Sequence, residues 1–226
     1  MAPDQETSAR RAFEQIRAMV VRGEVAPGAK MVVRPLAERL GLSPTPIKSA
    51  LAALERDGFL VAVTNRGYFV PSIDDADMRE IFELREALEG LAARTIAARD
   101  DRAEVCRELW RLHHLQVAAA DEARIDDYSE VNLAFHRLVW TASGNRRLTR
   151  AAENLVGQTR LATPETAQVP GRMAAAMREH AALVSAVERG DAAAAEALAR
   201  DHVRASGEAF TARAPRDEGV QMTDGS

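Results

Sequence analysis

Cysteine is almost missing from this chain: Cys106 is the single example among 226 residues. One thiol excludes an internal disulfide framework and a cysteine-based zinc site, and it reads as a small core residue on a helix. Aromatic residues make up only 4% of the chain, and its apolar content is mostly Ala, Leu and Val. That mix favours helices over sheets, so a mainly-β fold is excluded. No apolar run approaches the ~20 residues that cross a bilayer, so no membrane partner is expected. The stretch Met1–Glu6 is polar and acidic, without the basic and apolar regions of a secretory signal. The expected location is the cytoplasm. No repeat period is evident.

What is present is a charge asymmetry. The net charge of −4 argues against nucleic acid when taken whole. Residues 1–71, however, carry 10 Lys and Arg against 7 Asp and Glu, whereas residues 72–226 carry 20 against 27. A small basic segment therefore precedes a larger acidic one, the pattern of a DNA-binding head on a separate sensing body. The tails 1–7 and 214–226 are polar or Gly-rich and are expected to be disordered.

Within residues 8–71, apolar periodicity predicts three helices. The first runs from about Ser8 to Arg22, with Ala12, Ile16, Met19 and Val20 on one face. Gly23 and Pro27-Gly28 break it, and Met31-Val32 is extended. Leu36, Ala37 and Leu40 mark a second helix closed by Gly41. Ser43 caps a third, with Ile47, Leu51 and Leu54 inward. Strands follow at Leu60–Val63 and Tyr68–Val70, joined by the hairpin signal Thr64-Asn65-Arg66-Gly67. Three helices and a hairpin read as a winged helix-turn-helix, whose third helix would enter the major groove of double-stranded DNA. A bundle end with an incidental hairpin is the rival reading.

The segment Gly23…Pro27-Gly28…Leu36-Ala37…Leu40-Gly41-Leu42-Ser43-x-Thr45-Pro46-Ile47-x-x-Ala50-Leu51…Gly58-Phe59-Leu60…Gly67-Tyr68-Phe69-Val70 resembles the head of GntR-family transcription regulators. The resemblance implies DNA contacts from Arg34, from Ser43, Thr45, Pro46 and Lys48 of the recognition helix, and from Arg66 and Gly67 of the wing. It also implies an operator read by a homodimer. Two positions depart from the family. Pro44 stands where Arg is usual, and Lys48-Ser49 where Arg-Glu is usual. Pro44 fits a first helical turn but cannot read a base, and Lys48 lacks the planar fork of Arg.

Residues 75–212 predict an all-α antiparallel bundle of six helices, with breaks at Ser143-Gly144-Asn145, Thr163-Pro164 and Gly190. Asn132 and His136 are four apart and share a helix face. His180 falls on the stripe Met173, Met177, Val184 and Val187, and His202 on Ala195, Leu198, Ala205 and Ala209. Three inward histidines on three helices either converge on a metal or serve as separate core residues. Imidazole with an oxygen ligand suits Zn, Ni, Fe or Mn. His113 and His114 point about 100° apart and are expected on the surface. Trp110 and Trp140 read as packing residues.

Phe82-Glu83-Leu84-Arg85-x-x-Leu88-Glu89, Asn132-x-x-Phe135-His136, Ser143-Gly144-Asn145-x-x-Leu148, Glu179-His180-x-x-Leu183-x-x-Ala186 and Gly190-Asp191…Ala194…His202 resemble the FadR C-terminal domain, or FCD. In metal-binding members of that domain an Asp or Asn and three His hold a divalent cation, which implies Asn132, His136, His180 and His202 here. The resemblance further implies a small organic-acid effector at the metal, with Arg85, and less strongly Arg160, as a carboxylate clamp. The resulting expectation is a ligand-controlled transcription regulator, a repressor, and not an enzyme. Its rivals are a regulator that answers to the metal ion alone and a helical metalloenzyme. No His-Glu-x-x-His motif supports the enzyme, and Glu179 is expected to point away from the ligand face of its helix.

Overall fold

The computed structural model describes residues 3–162 and 169–212, with side chains described for 7–159 and 169–212. The N-terminal part contains α1 (Pro3–Val21), β1 (Lys30–Met31), α2 (Val33–Leu40), α3 (Pro44–Arg56), β2 (Val61–Val63) and β3 (Gly67–Phe69). Helix α1 begins at Pro3, earlier than the expected Ser8, and so takes in residues expected to lie in a disordered tail. Its inward residues Ala12, Ile16, Met19 and Val20 meet Ile47, Leu51 and Leu54 of α3 and Leu36 of α2 in one apolar cluster.

Gly41 makes the tight turn between α2 and α3. Its φ of 63° is left-handed, and its N–H bonds the carbonyl of Ala37. Ser43 takes the N-cap position of α3 in extended backbone, but its side chain makes no capping bond. Pro44 follows at the first helical position, where its missing N–H has no helical partner. The strands form an antiparallel sheet in the order β1-β3-β2, with Lys30 opposite Phe69 and Val63 opposite Gly67. The extended segment at Met31 is thus the third strand of the wing. Asn65 (φ 59°) and Gly67 (φ 103°) turn its tip.

The remaining described residues form α4 (Asp75–Ala97), α5 (Arg102–Asp121), α6 (Ile125–Ala142), α7 (Arg146–Ala162), α8 (Arg172–Glu188) and α9 (Ala192–Thr211). A capping box starts α4, in which Asp74 accepts from the Asp77 N–H and Asp77 accepts from the Asp74 N–H. The bundle core joins Ala92, Ile96, Leu109, Phe135, Trp140, Leu183 and Val184 from α4, α5, α6 and α8. A smaller cluster of Met78, Phe82, Val203 and Phe210 joins α4 to α9. No described helix is long and apolar enough to cross a membrane.

Helix α7 connects the two parts. Arg17 of α1 donates to the carbonyl of Glu153 at 3.1 Å and lies over the Phe59 ring, 4.7 Å from its centre. Gln158 donates to the carbonyl of Asp57 at 3.1 Å, and Arg150 pairs with the Asp57 carboxylate at 3.3 Å.

Candidate functional site

Three helices bring His136, His180 and His202 together. One ring nitrogen from each lies within 4.8 Å of the others, and all three side chains are buried. Each Nδ1 is held by a side chain from a neighbouring helix or, for His202, from α8. His136 Nδ1 meets Glu89 of α4 at 2.7 Å, His180 Nδ1 meets Gln116 of α5 at 3.1 Å, and His202 Nδ1 meets Glu179 at 2.7 Å. These oxygens accept, so each Nδ1 carries the proton and each Nε2 keeps a bare lone pair. The Nε2 atoms of His180 and His202 face each other at 3.3 Å. Two buried lone pairs at that separation repel unless a cation or proton lies between them, which is the donor arrangement that fits a divalent metal.

Burial first, then the neighbouring His202 and His136, holds the pKa of His180 well below the usual imidazole range. Burial also lowers His202 to about 4, against the opposing hydrogen bond of Glu179. Both rings are therefore neutral and competent to ligate at pH 7. Burial acts to raise the carboxyl of Glu179, but hydrogen bonds from His202 and Arg172 bring it down to about 2. Burial acts to raise the Glu89 carboxyl, but its contacts with His136 and the Arg85 guanidinium hold it below the ordinary carboxylate range.

Asn132 stands one turn before His136. Its Oδ1 accepts from Gln116 Nε2 at 3.0 Å, so a chain runs from Asn132 through Gln116 to His180. An amide oxygen has two acceptor sites, and one remains for a metal.

A cavity of about 640 Å³ opens beside this cluster. His136, His202 and Asn132 line it, together with Arg85 and Arg172, while His180 lies behind them. Arg85 forms a buried pair with Glu89 at 2.9 Å, and Arg172 pairs with Glu179 at 2.6 Å and donates to Ser206 at 3.0 Å. Arg160 lies outside the described side chains. Burial pushes the Tyr128 phenol, also on the cavity wall, up to about 12.

Several expectations need correction. Glu179, expected to point away from the ligand face of its helix, instead meets Nδ1 of His202 in α9 at 2.7 Å. His113 is half-buried, not on the surface, because α5 packs on α8 and its Nε2 meets the Met177 carbonyl at 2.9 Å; His114 is exposed. Pro46 is buried, since the second residue after Pro44 turns toward the core of the head. Glu89, Gln116, Glu179 and Arg172 were not identified as site residues from sequence. Gln116 carried a signal, a polar residue interrupting the apolar stripe Leu109, Leu112, Ala119.

On the head, Lys30, Arg34, Lys48 and Gly67 line one shallow groove between the wing and α3. Ser43, Thr45, Lys48 and Arg66 are exposed. Arg34 is paired at 3.0 Å with Glu38, one turn along α2. Lys30 and Arg66 lie 6.0 and 5.7 Å from the Phe69 ring centre. Lys30 also escaped the sequence reading, because only strand pairing places it beside the wing.

A winged helix-turn-helix joined to a helical bundle is the architecture of a DNA-binding regulator. Residues 8–70 match the bacterial regulatory proteins of the gntR family, and residues 80–205 match the FCD domain. The chain belongs to the GntR family of transcription regulators, which bind operator DNA and are not enzymes. Among its relatives, an uncharacterized HTH-type transcriptional regulator of Bacillus subtilis (strain 168), YdhC, is 29% identical over 63% of this chain, a match spanning 64% of that protein. The HTH-type transcriptional repressor RspR of Escherichia coli (strain K12) is 25% identical over 85% of this chain and 84% of its own length. The solved structure of E. coli McbR/YncC shares the fold, with a TM-score of 0.74 at 18% identity over 93% of this chain and 99% of that one.

Proposed function

We propose that this chain is a repressor whose operator binding is controlled by a small organic acid bound at a divalent metal in the helical body. Residues 8–71 act as the DNA-binding unit and residues 75–212 as the sensing unit. A homodimer reads a two-fold operator. Arg34, Ser43, Thr45 and Lys48 contact DNA from the helices, and Arg66 and Gly67 from the wing. His136, His180 and His202 hold the metal, with Asn132 as a fourth ligand, and the metal supplies a Lewis-acidic centre for a carboxylate. The observation that carries this reading is the convergence of one ring nitrogen each from His136, His180 and His202 next to a cavity that also presents Arg85 and Arg172.

Effector binding shifts the population of head placements that span both half-sites. The test is zinc and nickel titration of the chelator-treated protein by calorimetry, followed by operator binding with and without acetate. His180→Ala should lose the metal and the acid response yet keep operator binding. Asn132→Asp should tighten the metal by adding a charge. Protein that takes up no divalent ion would overturn the metal reading, and a response to metal without any acid would favour a metal-ion sensor.

A further inference from the structure

The cavity is not built by the bundle alone. Val21 and Arg22, at the end of α1 in the DNA-binding head, are part of its wall. Met78, Phe82, Val156 and Phe210 add an apolar surface to the same cavity. A two- or three-carbon acid at the histidines would leave that surface uncovered, whereas about 300–1,000 Å³ is the range for much larger ligands.

The buried and the exposed parts of the cavity wall differ in charge. At the histidine end, Arg85 and Arg172 are buried. The exposed members of the wall are Arg22, Asp126 and Glu130, so acid outnumbers base at the rim. Arg22 is paired with Glu24 at 2.7 Å, as Arg85 is with Glu89 and Arg172 with Glu179, so the metal and not a free arginine sets the histidines apart as the anchor. The rim therefore gives no preference to a second carboxylate.

We infer that the effector is a monocarboxylic acid with an extended apolar body, anchored at the histidine end and reaching Val21, so that the ligand touches the DNA-binding head directly. This inference rests on the metal-anchored acid site proposed above. It also assigns a role to α7, which shows Val156 and Thr159 to the cavity and bears on the head through the next residues, Gly157 and Gln158. One turn of helix is thus a wall shared by ligand and head.

The experiment uses the zinc-loaded full chain and calorimetry with acetate, butyrate, hexanoate and adipate. Each buried methylene should tighten binding about fourfold, so hexanoate should bind far more tightly than acetate, and adipate more weakly than hexanoate. Val21→Thr, which keeps the shape and removes an apolar contact, should weaken hexanoate a fewfold and leave acetate unchanged. Val156→Phe should exclude hexanoate while zinc and acetate still bind, which also shows that the variant is folded. Equal affinity for acetate and hexanoate, adipate binding as tightly as hexanoate, or a Val21→Thr variant that binds hexanoate normally, would overturn the inference while leaving the acid site standing. Zinc uptake with no binding of any acid would instead remove the acid site itself, and this inference with it.

Discussion

A Cβ atom added to Gly157 of α7 would lie 2.4 Å from Cε1 of Phe59 in the head. Glycine is required here by close approach and not by backbone angle, since the residue lies within a regular helix. Phe59 is fully buried, partly by this contact and partly by the Arg17 guanidinium above it.

Gly157→Ala should therefore act on the joint between head and body. The gain in helix propensity, about 1 kcal/mol, opposes an overpacking cost of about 1–3 kcal/mol, so the net loss of stability should be at most about 2 kcal/mol. The larger effect should be on communication: metal uptake is retained, and the change in operator affinity on adding acid shrinks. Operator titrations with and without acid, on metal-loaded protein, measure it. An unchanged acid effect would show that this contact carries no coupling.

Gln116→Leu should weaken zinc by about 10- to 100-fold, because Gln116 holds the His180 tautomer and orients Asn132. Operator binding in the absence of metal should not change. Competition against a chromophoric chelator gives the affinity, and wild-type affinity in this variant would mean that Gln116 is only a packing residue.

Metal-free protein should lose stability in acid, and the sign follows from the histidines. His202 titrates at about 4 when folded and near 6.5 when unfolded. Below pH 6.5 the unfolded chain takes up a proton that the folded chain refuses, so stability falls as the pH drops from 6.5 toward 4. His180 shifts in the same direction. The combined loss should be on the order of a few kcal/mol. Urea midpoints at pH 7.5, 6.0 and 5.0 in chelator should decrease, and zinc at pH 7.5 should raise the midpoint by mass action. A midpoint that is flat from pH 7.5 to 5.0 would contradict the buried neutral rings.

Lys30→Ala and Lys48→Ala should each weaken operator binding and reduce the salt slope by about 0.9, the signature of one lost phosphate contact. Pro46→Ala, at a buried position, should leave that slope unchanged. Fluorescence anisotropy at several salt concentrations separates the two outcomes. Equal slopes for all three variants would place the phosphate contacts elsewhere.

The elements were legible in the chain because they rest on local chemistry. Apolar spacing marks α1 through Ile16 and α3 through Leu51, Gly41 marks the tight turn, and Asn65 with Gly67 marks the wing tip. His180 and His202 were also visible, since each falls on an apolar stripe at helical spacing, and His136 because it shares a helix face with Asn132. What joins residues far apart in sequence was decided by tertiary packing alone. Glu89 reaches His136 across 47 residues, Gln116 reaches His180 across 64, and Glu179 reaches His202 across 23. Spacing along one helix says which way a side chain points but not what another helix places opposite it. Pro46 shows the same limit, its ring buried with Ile47 while Thr45 before it is exposed. The wall of the cavity shows it too, where Val21 of the head meets a bundle that begins more than 50 residues later. Only the docking of α1 and α7 brings them together.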